Sequence, residues 1–224
     1  MNELEMIYER HSVRSYSDKR IEGETLDKMM TAIDELQQES GLRIEFCESS
    51  RKVFTSPMMK VIGWKGDPGY IVLAGKDTDE LEEKCGYYGE KLVLYLQSIG
   101  LNTCWVGMFK KGGLDIALSA DERPVITIAV GYGNDSGKLH KSKTINEVCD
   151  VSDMTEEFRA GVEAALAAPT AVNQQKFKIS SVDGEPVVTA VGNGPFIKVD
   201  LGIVKYHFKV GYNHRKGADV SINS

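Results

Sequence analysis

Long apolar runs are missing from this chain of 224 residues: no stretch approaches the roughly 20 apolar residues that a bilayer-spanning helix needs, so no membrane partner is expected. A basic excess is missing too. The 27 lysines and arginines stand against 33 acidic residues, a net charge of −6, which cannot neutralise a row of phosphates and makes nucleic acid an unexpected partner. Cysteine is sparse. Cys47, Cys85, Cys104 and Cys149 are scattered, with no Cys-x-x-Cys and no Cys/His cluster, so neither a metal site nor a disulfide framework is indicated and the four read as reduced thiols. The opening Met1-Asn2-Glu3-Leu4-Glu5 is acidic where a secretory signal would be basic, and the expected location is cytoplasmic. What the chain does have is 42% hydrophobic content, enough to bury one large core or two small ones without covalent or metal support.

Periodicity places the elements. Residues 23–40 carry Leu26, Met29, Met30, Ile33 and Leu36 at three- and four-residue spacings, the pattern of a helix with one apolar face, and Gly41 ends it. The run Tyr70-Ile71-Val72-Leu73-Ala74 predicts a strand. Asp77, Thr78 and Asp79 then offer caps for a helix over residues 80–98, with Leu81, Cys85, Tyr88, Leu92, Tyr95, Leu96 and Ile99 near one face and Gly100 as the left-handed stop. Residues 103–106 and 125–130 are β-rich and bounded by Gly or Pro, so they read as buried strands.

Residues 133–143 form a polar stretch with Asn134, Asp135, Ser136 and Gly137, the best boundary between two parts, taken as 1–150 and 151–224. Beyond it, Phe158, Val162, Ala165 and Leu166 mark a helix that Pro169 stops. Residues 177–182 and 187–191 alternate like a hairpin around Asp183-Gly184, and a last helix is expected near 201–210. The order strand, glycine, helix, glycine occurs in both parts, which suggests a degenerate internal duplication.

Four segments carry candidate chemistry. In Arg10-His11-Ser12-Val13-Arg14-Ser15-Tyr16 alternate positions are basic or hydroxylic; such an array suits a phosphate, because guanidinium forks match its oxygens. An isolated Arg-x-Ser-x-Arg is more often a solvated turn. Ala167-Ala168-Pro169-Thr170-Ala171-Val172-Asn173-Gln174-Gln175-Lys176-Phe177 combines small residues, which admit a flat ring, with Asn173 and Gln175, whose amides both donate and accept; alone, it would pass for an ordinary helix-stopping loop. Leu101-Asn102-Thr103-Cys104-Trp105-Val106-Gly107-Met108 is a strand whose end could aim the N–H of Gly107 or Met108 at a ligand, against the plain alternative of Trp105 as core. Lys138, His140, Lys141 and Lys143 make a basic cluster of the kind that is usually a solvated loop; phosphate binding by Lys141 and Lys143 is the minority reading.

Together these segments resemble the FMN-dependent nitroreductases. Arg-His-Ser-Val-Arg-Ser-Tyr is similar to that family's Arg-x-Ser-x-Arg opening, and Ala-Pro-Thr-Ala-Val-Asn-Gln-Gln-Lys-Phe to its Ala-Pro-Ser-Ala-x-Asn-x-Gln-Pro-Trp loop. Residues 101–107 and 126–133 resemble its Leu-Gly-x-x-x-Trp-x-Gly strand and the later strand ending in Gly-Tyr. The order differs, since in ordinary members the proline loop follows shortly after the arginine motif, whereas here it comes far downstream. The chain therefore resembles most the divergent, internally duplicated members, in which a two-fold dimer is fused into one chain.

The resemblance implies an α+β fold, a mixed α/β sandwich with an antiparallel-rich central sheet flanked by helices and two pseudo-symmetric halves. It further implies FMN as cofactor, NADH or NADPH as electron donor, and a small acceptor such as a nitroaromatic or quinone, reduced by a ping-pong hydride mechanism. One flavin per chain is expected, in a monomer or a homodimer. Carried over by position, Arg10, His11, Ser12 and Arg14 would serve the phosphate and nearby oxygens; Pro169, Thr170, Ala171, Asn173 and Gln175 the ring; Gly107 or Met108 its N5. No side chain is assigned as catalytic acid or nucleophile. Lys176 and Phe177 replace the usual Pro-Trp, which weakens substrate stacking at that loop and keeps open a flavin-holding or sensing protein without a productive acceptor site.

Overall fold

The computed structural model describes residues 2–138 and 140–217. In chain order the elements are α1 (Glu3–Glu9), α2 (Glu24–Ser40), β1 (Arg43–Cys47), α3 (Pro57–Val61), β2 (Gly69–Lys76), α4 (Leu81–Ser98), β3 (Asn102–Val106), β4 (Glu122–Gly131), α5 (Ile145–Val148), α6 (Glu156–Leu166), β5 (Phe177–Val182), β6 (Glu185–Ala190) and α7 (Ile197–Lys216). The class is mixed helix and antiparallel sheet. Two compact units divide the chain, and each is discontinuous in sequence. The sheet unit takes Arg10–Leu81 and residues 92–138; the helical unit takes residues 2–9, Glu82–Lys91 and residues 140–217.

In the sheet unit four strands run antiparallel in the order β1-β2-β4-β3. Central strand β2 is buried at seven successive positions, Gly69 to Gly75, which is why its sequence is a continuous apolar run rather than an alternation. It aligns Ile71 with Ile128 and Tyr70 with Ala129 on β4. Helix α2 lays Met29, Ile33 and Leu36 inward; Gly41 ends it at φ 71°, its N–H returning to Gln37 O, the left-handed stop that glycine allows. A second apolar group collects Val13, Tyr16, Val53, Phe54, Met59, Tyr70 and Cys104, with Trp64 edge-on to Phe54 at 5.1 Å.

Helix α4 departs from expectation in two ways. Its N-cap is Glu80, which makes no side-chain cap bond; Asp77 instead accepts from Arg123 Nε at 2.6 Å. Gly89, Glu90, Leu92, Val93 and Leu94 are all buried, so its middle is covered all round and not along one stripe, while Tyr95 is 37% exposed. Gly100 does adopt the left-handed conformation, at φ 84°.

The helical unit packs α6 on α7 beside the β5–β6 hairpin. Asp183 and Gly184 turn that hairpin with both φ values positive, 50° and 86°, the geometry that matches the twist of paired strands. Helix α7 spans 20 residues, beyond the expected 201–210 at both ends, and buries Asp200, Lys205 and His207 along with its apolar residues. Glycines set its closest approaches. A Cβ on Gly202 would lie 2.0 Å from Glu83 O and 2.6 Å from Tyr87 N, and one on Gly86 would lie 2.0 Å from Val199 O and 3.1 Å from Ile203 N. The two sets of contacts are reciprocal: each glycine meets the other helix three residues before and one residue after its counterpart. Among the described residues no helix is long and apolar enough to cross a membrane.

Candidate functional site

In the sheet unit, residues 12–17 run extended because their backbone is held by Thr103, Lys65, Tyr132 and Asn134. Val13 N donates to Thr103 O at 3.0 Å, Lys65 N to Arg14 O at 2.9 Å, Tyr16 N to Lys65 O at 3.0 Å, Ser17 N to Tyr132 O at 2.8 Å, and Asn134 N to Ser15 O at 2.8 Å. Val13 and Tyr16 face the core; Arg14 is exposed and Ser12 half-buried. Arg10, one step earlier, is a charged residue only 5% exposed.

Arg10, Ser12 and Arg14 each influence the Cys104 thiol. Burial pushes that thiol up, while Arg14, Arg10 and a hydrogen bond from Ser12 pull it the other way. Two guanidiniums and a hydroxyl are thus near enough to influence one buried thiol, and they are the charge-assisted donors that a phosphate dianion takes. Among the described residues no carboxylate lies in ion-pair range of Arg14. Beside them Tyr16 Oη is buried and has no hydrogen-bond partner among the described residues; burial pushes its phenol well above the ordinary range, Cys104 and Asp135 adding to this and Arg14 opposing it. Donor chemistry, a buried cation and an orphaned hydroxyl all fit an anionic group.

The neighbouring turn is specified by its own contacts. Asn102 Oδ1 accepts from Gly133 N at 2.9 Å, and Gly137, at φ 76°, has no room for a Cβ, which would lie 2.8 Å from that of His11. His11 is therefore packed against this turn. Gly107 and Met108 follow directly on β3, with Met108 52% exposed. Trp105 is half-buried; Trp64 fills the aromatic cluster with Tyr16 at 5.7 Å. Asn102, Tyr16 and Asp135 stand in segments that the sequence marks, but no site role was assigned to them, because the turn at residues 133–137 follows β3 only after the whole of β4.

In the helical unit the loop after α6 is braced from within. Asn173 Nδ2 donates to Lys141 O at 3.0 Å and Gln175 Nε2 to the same carbonyl at 2.8 Å. Gln175 Oε1 accepts from Lys143 N at 2.8 Å, and Lys143 Nζ donates to Gln175 O at 2.7 Å. Lys141 keeps an exposed side chain. Pro169, Thr170 and Ala171 are half-buried, and Thr170 Oγ1 accepts from Gln175 N at 3.0 Å. Phe177 is 4% exposed and opens β5 as core, while Lys176 Nζ donates to Asn193 O at 2.5 Å. Asp200, absent from the sequence reading, accepts from Ala171 N at 2.9 Å and Gln174 Nε2 at 2.7 Å. Among the described residues no cluster of potential metal ligands occurs.

A mixed architecture of helices and antiparallel sheet defines the fold class. The chain belongs to the family described as "Putative TM nitroreductase", whose model matches residues 2–212. Among solved structures it is similar to a putative nitroreductase of Thermotoga maritima, at 21% identity over 100% of this chain and 89% of that one, with TM-score 0.69. A nitroreductase family protein of Streptococcus pneumoniae follows at 16% identity, 66% and 98% coverage and TM-score 0.51. A putative nitroreductase of Desulfovibrio desulfuricans in complex with FMN has 16% identity, 65% and 94% coverage and TM-score 0.50. These likenesses establish the fold. No curated protein matches the chain.

Proposed function

We propose that this chain is an FMN-dependent NAD(P)H oxidoreductase of the nitroreductase type, passing electrons from NADH or NADPH to small acceptors such as nitroaromatics or quinones in two half-reactions. The observation that carries the reading is the arginine array held along β3, with Arg10 buried, Arg14 exposed and the buried Tyr16 hydroxyl without a hydrogen-bond partner among the described residues. Family membership and the FMN named in the Desulfovibrio structure support it. Bound FMN would supply hydride acceptance and release. Arg10 and Arg14 would hold its phosphate, Ser12 would donate to an oxygen near it, and a backbone N–H at Gly107 or Met108 would polarise the ring nitrogen without adding a titrating group. The Pro169 to Gln175 loop would offer small residues to a flat ring. Orientation and charge stabilisation do the work, and no side-chain nucleophile is assigned.

The internal duplication also belongs to this proposal. The order helix, strand, strand, helix occurs as α2-β1-β2-α4, with α3 inserted, and again as α6-β5-β6-α7, and both strand pairs are antiparallel. The reciprocal Gly86 and Gly202 contacts are what two equivalent helices crossing about a local two-fold would make.

A second reading, a flavin-holding protein without a productive acceptor site, is favoured by Phe177 serving as core. The visible spectrum of purified protein, before and after anaerobic NADH or NADPH, separates them: flavin bands that bleach support the oxidoreductase, bands that persist support the holding protein, and no flavin after reconstitution removes both. Arg14→Ala is expected to raise the FMN dissociation constant about 10- to 100-fold, the weight of one charge-assisted contact; unchanged retention would defeat the phosphate assignment.

A further inference from the structure

The loop from Thr170 to Gln175 is strained. Val172, Asn173 and Gln175 have φ values of 48°, 55° and 44°, and a β-branched residue in the left-handed region is a genuine outlier. Val172 is also 87% exposed, so burial of its side chain does not compensate for its backbone. Strain of this kind persists only where the surroundings over-determine it, and it concentrates at functional segments. The restraint comes from α7. Both carboxylate oxygens of Asp200 accept from Ala171 N, at 2.9 and 3.1 Å, and Oδ2 also accepts from Gln174 Nε2 at 2.7 Å. Gln174 in turn donates to Pro195 O at 2.9 Å, and its Oε1 occupies the space a Cβ on Gly194 would need, 2.1 Å away. Asp200 is thereby buried, 7% exposed, and among the described residues its hydrogen-bond partners are neutral. A buried anion without a cation is costly and is not what stability alone would choose.

We infer that Asp200 is the positioning residue of the flavin-facing loop: by gripping Ala171 N–H and the Gln174 amide it holds residues 170–175 in the strained conformation that binds the ring. This rests on the reading of the loop as flavin-lining. An amide at position 200 offers one acceptor and turns a donor toward the Gln174 donor, so it cannot reproduce the grip, although its volume is the same.

The test uses the full-length chain with Asp200→Asn, and with Asp200→Glu as the variant that retains the carboxylate. In flavin-free protein, exchange of the Ala171 amide should quicken at least tenfold in Asp200→Asn while core amides such as that of Val204 keep their protection. FMN titration should give a dissociation constant raised about tenfold and a flavin visible band shifted toward that of free FMN, with Asp200→Glu restoring part of both. Unchanged Ala171 exchange overturns the grip; faster exchange with unchanged FMN affinity and spectrum overturns the positioning role. Wild-type protein that takes up no FMN would instead overturn the flavin reading and this role with it, while the exchange data would still judge the grip on its own.

Discussion

Tyr16 and Asp200 are both buried polar groups held at some cost, and they differ in what the cost implies. The Tyr16 hydroxyl meets no partner among the described residues, and an unmade buried hydrogen bond costs on the order of 1–3 kcal/mol. Tyr16→Phe removes the group and keeps the ring against Trp64, so thermal or urea unfolding of flavin-free protein should show it equal to wild type or more stable by about 1 kcal/mol. A clear loss of stability would mean that the hydroxyl is satisfied. Asp200 is pushed from 3.8 up to about 6, chiefly by burial, with the hydrogen bonds from Gln174 and Ala171 opposing. The folded state therefore binds the proton more tightly than the unfolded chain does. Below about pH 4 both states hold it; as pH rises towards 6 the unfolded chain releases it first and stability falls by up to about 3 kcal/mol. Asp200→Asn lacks this titration. Urea midpoints measured between pH 4 and 7 should move in favour of the variant relative to wild type, and a constant difference across that window would refute the burial argument.

At the scale of elements, the crossing of α4 and α7 is the most constrained feature of the helical unit. Alanine at either Gly86 or Gly202 would place a methyl 2.0 Å from a carbonyl oxygen of the facing helix, and backbone cannot yield as a side-chain tip can. Each substitution should cost about 1–3 kcal/mol, the range for overpacking, and the two costs should be similar because the contacts are reciprocal; a large disparity in urea unfolding would count against the local two-fold. Such a crossing cannot be read from spacing, since a helical glycine in sequence is only an unfavourable residue. What was legible had local causes. The α2 stripe with its Gly41 stop, the apolar run of β2 and the Asp183-Gly184 hairpin each carry their signal within a few residues. Helices α1, α3 and α5, of 7, 5 and 4 residues, were not anticipated, because helices so short depend on tertiary contacts. Strand β1 was missed as well, its five residues offering only Ile44 as a fully buried apolar position. The arginine array was visible as a motif, and its pairing with β3 through Val13 N and Thr103 O was not, because that strand lies some ninety residues further on. Asp200 was invisible for the same reason: it reads as a polar interruption of α7 until its partners at Ala171 and Gln174 are known.

For the whole molecule the net charge of −6 poses an electrostatic question, since FMN and NAD(P)H are themselves anions. Two length scales compete. The distributed acidic excess repels an incoming phosphate at long range, while Arg10 and Arg14 attract it at contact. At about 0.1 M salt the screening length is roughly 10 Å, so acidic residues remote from the array contribute little and the guanidiniums govern affinity. Added salt should accordingly weaken FMN binding despite the overall negative charge, by several-fold between about 0.05 and 0.5 M. Riboflavin, which has the same ring and no phosphate, should bind with an affinity that scarcely changes over that range. Titrating both ligands by flavin fluorescence at each salt concentration isolates the phosphate contribution. FMN binding that tightened with salt would mean that the global charge dominates and that the phosphate does not sit on the arginine pair; equal salt dependence for the two ligands would move the cationic contact from the phosphate to the ring.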